Sequence, residues 1–154
     1  MLGRRLVHAR IPLALTILAL GLAIAQNAAG AAQTIAVVER ATSDAVTDLG
    51  AKGDSVGDIL TFHNDIYDEA NAKVVGSNNG WRIRTAVGKA WECFWTQSLQ
   101  DGQITVEGPF LDGKDSMLAI TGGTGAYVGK SGEMKLQARD EEGTEYDFIY
   151  MLAP

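Results

Sequence analysis

Several things are scarce in this sequence, and each scarcity closes off a class of function. The 154 residues include one cysteine, three prolines and two histidines. A lone Cys93 has no partner for an internal disulfide, so cross-linking does not hold this fold. It lies in the apolar run Trp91-Glu92-Cys93-Phe94-Trp95, where a cysteine reads as a small buried hydrophobe. No histidine or acid at motif spacing marks it as a nucleophile. His63 is the single histidine beyond the N-terminal segment and reads as exterior, which gives no acid–base pair. No group of His, Cys and acidic residues has metal-site spacing, so no metal and no cofactor is expected. A Gly-x-Ser-x-Gly elbow is absent, and Gly122-Gly123-Thr124-Gly125 lacks the Gly-Lys-Ser/Thr ending of a phosphate loop. Basic residues are outnumbered, 13 against 19 acids, for a formal charge of −6. None of them cluster beyond residue 31, which excludes a nucleic-acid footprint.

The one long apolar run is at the N-terminus. Arg4, Arg5 and Arg10 precede residues 11–25, interrupted only by Thr16 and Gly21. Small residues follow, with Ala23-Ile24-Ala25 and Ala29-Gly30-Ala31 both matching a signal-peptidase site. At about 15 residues the run is shorter than the roughly 20 that span a bilayer. A secretory signal over residues 1–31 is therefore expected, cleaved after Ala25 or Ala31, leaving residues 32–154 as one secreted domain with no membrane span.

What remains has a period of two, and no long amphipathic helix is found. Strands are expected over residues 34–40, 58–67, 73–75, 81–87, 89–98, 104–110, 116–121, 132–139 and 146–152. Residues 41–55, with Gly50 and Gly53, read as a loop with room for a helical turn. Gly76-Ser77-Asn78-Asn79-Gly80 reads as a turn, and Gln100-Asp101-Gly102 as a hairpin of type I′. Eight or nine short strands with turn signals every 8–12 residues define an all-β sandwich or barrel.

Alternation also assigns faces. Ile104, Val106, Gly108 and Phe110 share one face, as do Met134, Leu136 and Ala138, and Tyr146, Phe148, Tyr150 and Leu152. Polar residues break two such rows. Asn64 falls in line with Leu60, Phe62 and Ile66, and a buried amide must be satisfied by protein, water or ligand. Glu39 shares a face with Ile35 and Val37 close to its strand end, where a carboxylate at the barrel rim in water is the favoured reading. Trp81-Arg82-Ile83-Arg84-Thr85 allows either the apolar or the arginine side to face inward. An inward arginine needs a carboxylate such as Glu39, or an acidic ligand.

Two stretches carry a family resemblance. The segment Gly57-Asp58-Ile59-Leu60-Thr61-Phe62-His63-Asn64-Asp65-Ile66-Tyr67 resembles a segment of plant allene oxide cyclases. Gly108-Pro109-Phe110 and the later Thr121-Gly122-Gly123-Thr124-Gly125-Ala126-Tyr127 resemble the same enzymes and the dirigent proteins. The closing Glu145-Tyr146-Asp147-Phe148-Ile149-Tyr150 looks like the last strand of both. The resemblance implies an eight-stranded antiparallel β-barrel, calycin-type, with an apolar cavity and frequent assembly as a homotrimer. It implies a small apolar ligand, and chemistry of the isomerase or cyclase kind that works by confinement and orientation. Asn64 falls where the cyclases carry a functional asparagine, and Arg82 where they carry a cavity cysteine. Phe110 replaces a tyrosine, and Glu39 is a shifted counterpart of a first-strand glutamate. Asn64, Glu39 and Arg82 are thus the candidate catalytic residues, with Phe62, Phe110, Tyr127 and Phe148 lining the cavity. The strand around Trp91 and Trp95 has more large side chains than one small interior takes, so some are expected to face a partner subunit.

Overall fold

The computed structural model describes residues 32–154; the expected signal segment, residues 1–31, lies outside the described residues. Nine antiparallel strands are present among the described residues: β1 (Gln33–Arg40), β2 (Ala45–Thr47), β3 (Ile59–Asp68), β4 (Val74–Ala86), β5 (Ala90–Leu99), β6 (Gly102–Leu111), β7 (Ser116–Gly123), β8 (Gly132–Ala138) and β9 (Glu145–Leu152). A single 3-10 turn, Gly125–Tyr127, is the helical content of the described residues. Neighbours run in the order β1-β9-β8-β7-β6-β5-β4-β3-β2, and β1 also pairs with β3, which closes an eight-stranded barrel. Closure removes the open edges that an eight-stranded antiparallel sheet would expose.

Period-two alternation does what it predicts. Leu60, Asn64 and Ile66 of β3, Ile104 and Val106 of β6, and Tyr146, Phe148, Tyr150 and Leu152 of β9 are all buried. Trp95 stacks on Phe148 with ring centroids 5.4 Å apart and meets Phe62 edge-on at 6.2 Å. Such pairs add about 0.5–1.5 kcal/mol each beyond their burial.

The structure corrects four local expectations. Residues 41–55 hold no helical turn; they carry β2, which lies along β3 from Ala45↔Thr61 to Thr47↔Ile59. Gly76 to Gly80 is not a turn but the middle of a 13-residue β4. Asn78 turns inward and Asn79 outward, and Gly80 leaves room for β5: a Cβ there would meet Trp95 Cβ at 2.4 Å and Phe62 Cζ at 2.7 Å. The β5–β6 hairpin has the expected two-residue loop, but Asp101 does not take positive φ, so the turn is not type I′. Gly102 has φ of +149° instead, where a Cβ would strike the Thr124 carbonyl oxygen at 2.1 Å. Finally, Trp91 and Trp95 both point into the core. The outward aromatic of that strand is Phe94, stacked on the exposed Trp81 at 6.0 Å.

Candidate functional site

The two ends of the barrel differ. One end collects the loops 41–58, 87–89, 112–115 and 139–144; the other carries the N-terminal end of β1, the 3-10 turn and the β5–β6 hairpin. The polar intrusions into the core gather towards the loop-rich end.

Local pairing explains the first of them. β1 and β2 lie one after the other along β3: β1 covers Ile66 to Asp68, and β2 covers Ile59 to Thr61. Between them the chain leaves the sheet, and its N–H groups lose ladder partners. Asn64 fills that gap with its side chain. Its Oδ1 accepts from Thr42 N at 3.1 Å, Ser43 N at 2.9 Å and Ser43 Oγ at 2.8 Å. Its Nδ2 donates to Glu39 Oε1 at 2.9 Å and Asp44 Oδ1 at 3.2 Å. Of the readings open for this amide, satisfaction by neighbouring protein is the observed one.

Glu39 is not a carboxylate standing in water at the rim. It is buried, and its Oε1 accepts from both Asn64 Nδ2 and Asn78 Nδ2, the latter at 2.6 Å. Both amides use the same oxygen, and Oε2 takes part in neither bond. Burial pushes the carboxyl above its ordinary range, and the Asp44 charge adds to this. The two amide donors and the Arg82 charge pull the other way. Desolvation wins because a buried charge loses water that two neutral donors only partly replace.

Both arginines of β4 point inward, which resolves the ambiguity of that strand. Neither pairs with Glu39. Arg82 Nη2 donates to Asp44 Oδ2 at 2.6 Å, and Arg84 bridges Asp54 and Asp112 at 2.6 Å each. The Arg84 guanidinium lies 4.0 Å from the Trp91 ring centre, and that of Arg82 is 5.0 Å from the Phe110 ring centre. Arg82 Nε is buried without a hydrogen-bond partner.

These groups border one pocket, lined by Glu39, Asp44, Phe62, Arg82, Cys93, Trp95, Phe110, Leu136, Tyr146 and Phe148. Its water-accessible volume is about 20 Å³, enough for a single water. Phe110, Leu136 and Tyr146 also border a wider outer cleft of about 450 Å³ between the 112–115 and 139–144 loops. They form the wall between the two spaces. Tyr146 is wedged under the second loop: a Cβ on Gly143 would stand 2.7 Å from its hydroxyl.

Of the residues expected at the site, Glu39, Arg82, Phe62, Phe110 and Phe148 line this pocket, and Asn64 supports it from behind. Tyr127 does not line it. It is buried in the 3-10 turn at the opposite end, against Gly123, because the glycine-rich segment that carries it leaves β7 away from the loops. Asp44, Asn78 and Tyr146 were not singled out as site residues. Asn78 and Asp44 were hidden in segments read as turn and loop, while Tyr146 appeared only as one of an apolar row. Cys93 lines the pocket as a neutral thiol, pushed up to about 12 by burial. His63 is exposed and bonds to Asn79.

The described residues thus form a closed antiparallel barrel with an aromatic pocket at one mouth that holds a buried carboxyl and a guanidinium. The family model for allene oxide cyclase matches residues 31–139, and the chain belongs to that family. Among solved structures, pyocyanin demethylase superposes with a TM-score of 0.66 at 25% identity, covering 77% of this chain and all of that one. An exo-specific intermolecular Diels-Alderase gives 0.65 at 16% identity over 81% of this chain and 100% of that one. A pterocarpan synthase dirigent protein gives 0.65 at 15% identity over 82% and 98%. The last two likenesses are of fold.

Proposed function

We propose that this barrel binds an apolar, unsaturated small molecule in the pocket at its loop-rich end and orients it for an isomerisation or cyclisation. The observation that carries the reading is Glu39: a buried carboxyl beside an aromatic pocket, one oxygen tied to two amides and the other in neither bond. A carboxyl raised by burial moves its titration closer to neutral pH, where a group both takes and gives a proton effectively. Arg82, held by Asp44, offers a fixed positive dipole to oxygen-centred charge that develops during reaction. Phe62, Phe110, Trp95 and Phe148 supply the walls that confine the substrate. Asn64 is a positioning residue in this scheme, because its amide is fully used in holding Glu39 and the 42–44 segment.

The inner volume as it stands admits only a water, so a ligand enters by displacing Phe110 and Tyr146 towards the outer cleft. A non-catalytic binding barrel is the second reading, and one feature favours it: Phe110 has no hydroxyl where the resembling enzymes have a tyrosine. In either case the chain is read as exported by its N-terminal segment. The exposed Trp81–Phe94 pair gives an outward apolar surface for the homotrimer that the family likeness implies.

Native mass spectrometry of the full chain, purified from a cell extract as its host processes it, tests ligand holding directly. A co-purified apolar molecule supports the pocket and identifies the compound to assay. Glu39→Gln should then abolish its turnover while leaving the molecule bound. Retained turnover in that variant would remove Glu39 from the mechanism and leave the binding-barrel reading.

A further inference from the structure

Two pocket residues carry a buried donor without a hydrogen-bond partner among the described residues, Arg82 Nε and Trp95 Nε1, and only the first is charged. A buried guanidinium N–H without an acceptor is costly, and native interiors rarely leave one so. The partner of Arg82, Asp44, occupies only Nη2, so the guanidinium is clamped in orientation while Nε stays free beside the pocket. The same space is lined by Glu39 and by the side chains of Phe62, Phe110, Tyr146 and Phe148. The charge balance decides what this arrangement suits. The Arg82 charge is already matched by Asp44, and both neighbouring arginine contacts of Arg84 are taken by Asp54 and Asp112. The outer cleft adds Asp115, Asp140 and Glu141 against Lys114. No cation is left over to compensate a buried anion, and desolvating an unmatched carboxylate costs far more than a hydrogen bond returns.

Resting on the pocket reading above, we infer that the ligand class is a neutral, planar, conjugated or aromatic ketone whose carbonyl oxygen accepts a hydrogen bond from Arg82 Nε. The ring packs among the aromatic walls, and the carbonyl gives the orphaned donor its acceptor without adding charge. This separates the site from one built for fatty acids or phenolate anions, which bring a formal charge into the same space.

Three probes of matched shape test this on the full chain: acetophenone, ethylbenzene and benzoate, titrated against backbone amide NMR shifts around Cys93, Phe110 and Tyr146. Acetophenone should bind at least about tenfold more tightly than either of the others, the worth of one hydrogen bond to a charged donor. In Arg82→Met, acetophenone should fall to the level of ethylbenzene, with ethylbenzene itself unchanged. Because that variant also loses its Asp44 bridge, a second measurement on the wild type stands beside it. The infrared stretch of carbonyl-13C acetophenone should move to lower wavenumber when bound than in an apolar solvent. Equal binding of acetophenone and ethylbenzene, or an unshifted stretch, overturns the ketone assignment and leaves the apolar pocket standing. Tighter binding of benzoate overturns neutrality as the selecting feature. Failure of all three to perturb the pocket amides overturns the pocket reading and this inference together.

Discussion

Replacing Asn64 by alanine should destabilise the fold far more than it alters any ligand contact. The amide makes five hydrogen bonds, three accepted by Oδ1 and two donated by Nδ2. Truncation returns the Thr42 and Ser43 groups to an exposed segment where water replaces much of what is lost. The Glu39 and Asp44 contacts fare worse: Glu39 keeps only Asn78, and its surroundings are too closed for ready rehydration. Counting the buried Glu39 contact at about 1 kcal/mol and the four partly buried ones at about half that each gives a loss of about 3 kcal/mol. A domain of this size has a total of about 5–15 kcal/mol. With a urea dependence of roughly 1.5 kcal/mol per molar, the unfolding midpoint falls by about 2 M at unchanged slope. Asn64→Asp sharpens the test. It keeps acceptors for the 42–43 N–H groups but cannot donate to Glu39, and it sets a further carboxylate beside Glu39 and Asp44. Its penalty should therefore grow as pH rises. A midpoint shift of Asn64→Ala worth less than about 0.5 kcal/mol, or a gain in stability, would refute the structural role and return the amide to ligand binding.

Glu39 has a raised folded value, so the folded state holds its proton more tightly than the unfolded chain. Its contribution to stability is full below the unfolded value of about 4.5 and is lost as pH rises towards the folded one; Glu39→Gln, compared with the wild type by urea unfolding above pH 4.5, should lack that decline, and an identical slope would contradict it. Cys93, its thiol pushed up to about 12, should resist a chromogenic disulfide at pH 8 in the native state and react fully in denaturant; rapid native labelling would show the pocket opens far more than described. Gly80→Ala should cost about 1–3 kcal/mol by overpacking against Trp95 and Phe62, read as a lowered melting temperature, whereas neutrality would mean β4 yields at that point. Sedimentation should give the mass of three chains, reduced to one by Trp81→Ser; a wild-type monomer would sink the trimer.

Much of the barrel was legible because alternation is a property of each strand alone. Met134 and Leu136, or Tyr146 through Leu152, declare their faces without reference to anything distant. The family likeness then separated barrel from sandwich, which periodicity could not. The site was legible only in part. Asn64 and Glu39 stood out as polar breaks in apolar rows, but whether such groups are buried or wet depends on what covers them. Here the cover comes from Asp44 and Asn78, whose segments carry loop-like composition. The inward turn of Arg82 and Arg84 runs against hydrophobicity, since Trp81 and Ile83 were the better candidates for the core. It becomes stable only because Asp44 and Asp54 arrive from the 41–58 loop and Asp112 from the 112–115 loop. The segment from Gly76 to Gly80 looks like a turn for a related reason: in isolation Gly80 reads as punctuation, whereas in the barrel it is the space that Trp95 and Phe62 require.

The placement of β1 has a consequence for how the chain is made. This first strand runs its whole length along β9, the last, and touches β3 at only three register positions, Val37↔Asp68 to Glu39↔Ile66. Its main partner is therefore the last of the barrel's strands to be synthesised. Until then β1, with Glu39 at its tip, has nothing but a short seam to hold it, and the pocket has no floor. Closure of the barrel therefore waits for β9 and is a pairing of high contact order, slow by nature. A polypeptide arranged this way stays open while it emerges, which is the condition in which a chain can still be threaded through a narrow channel.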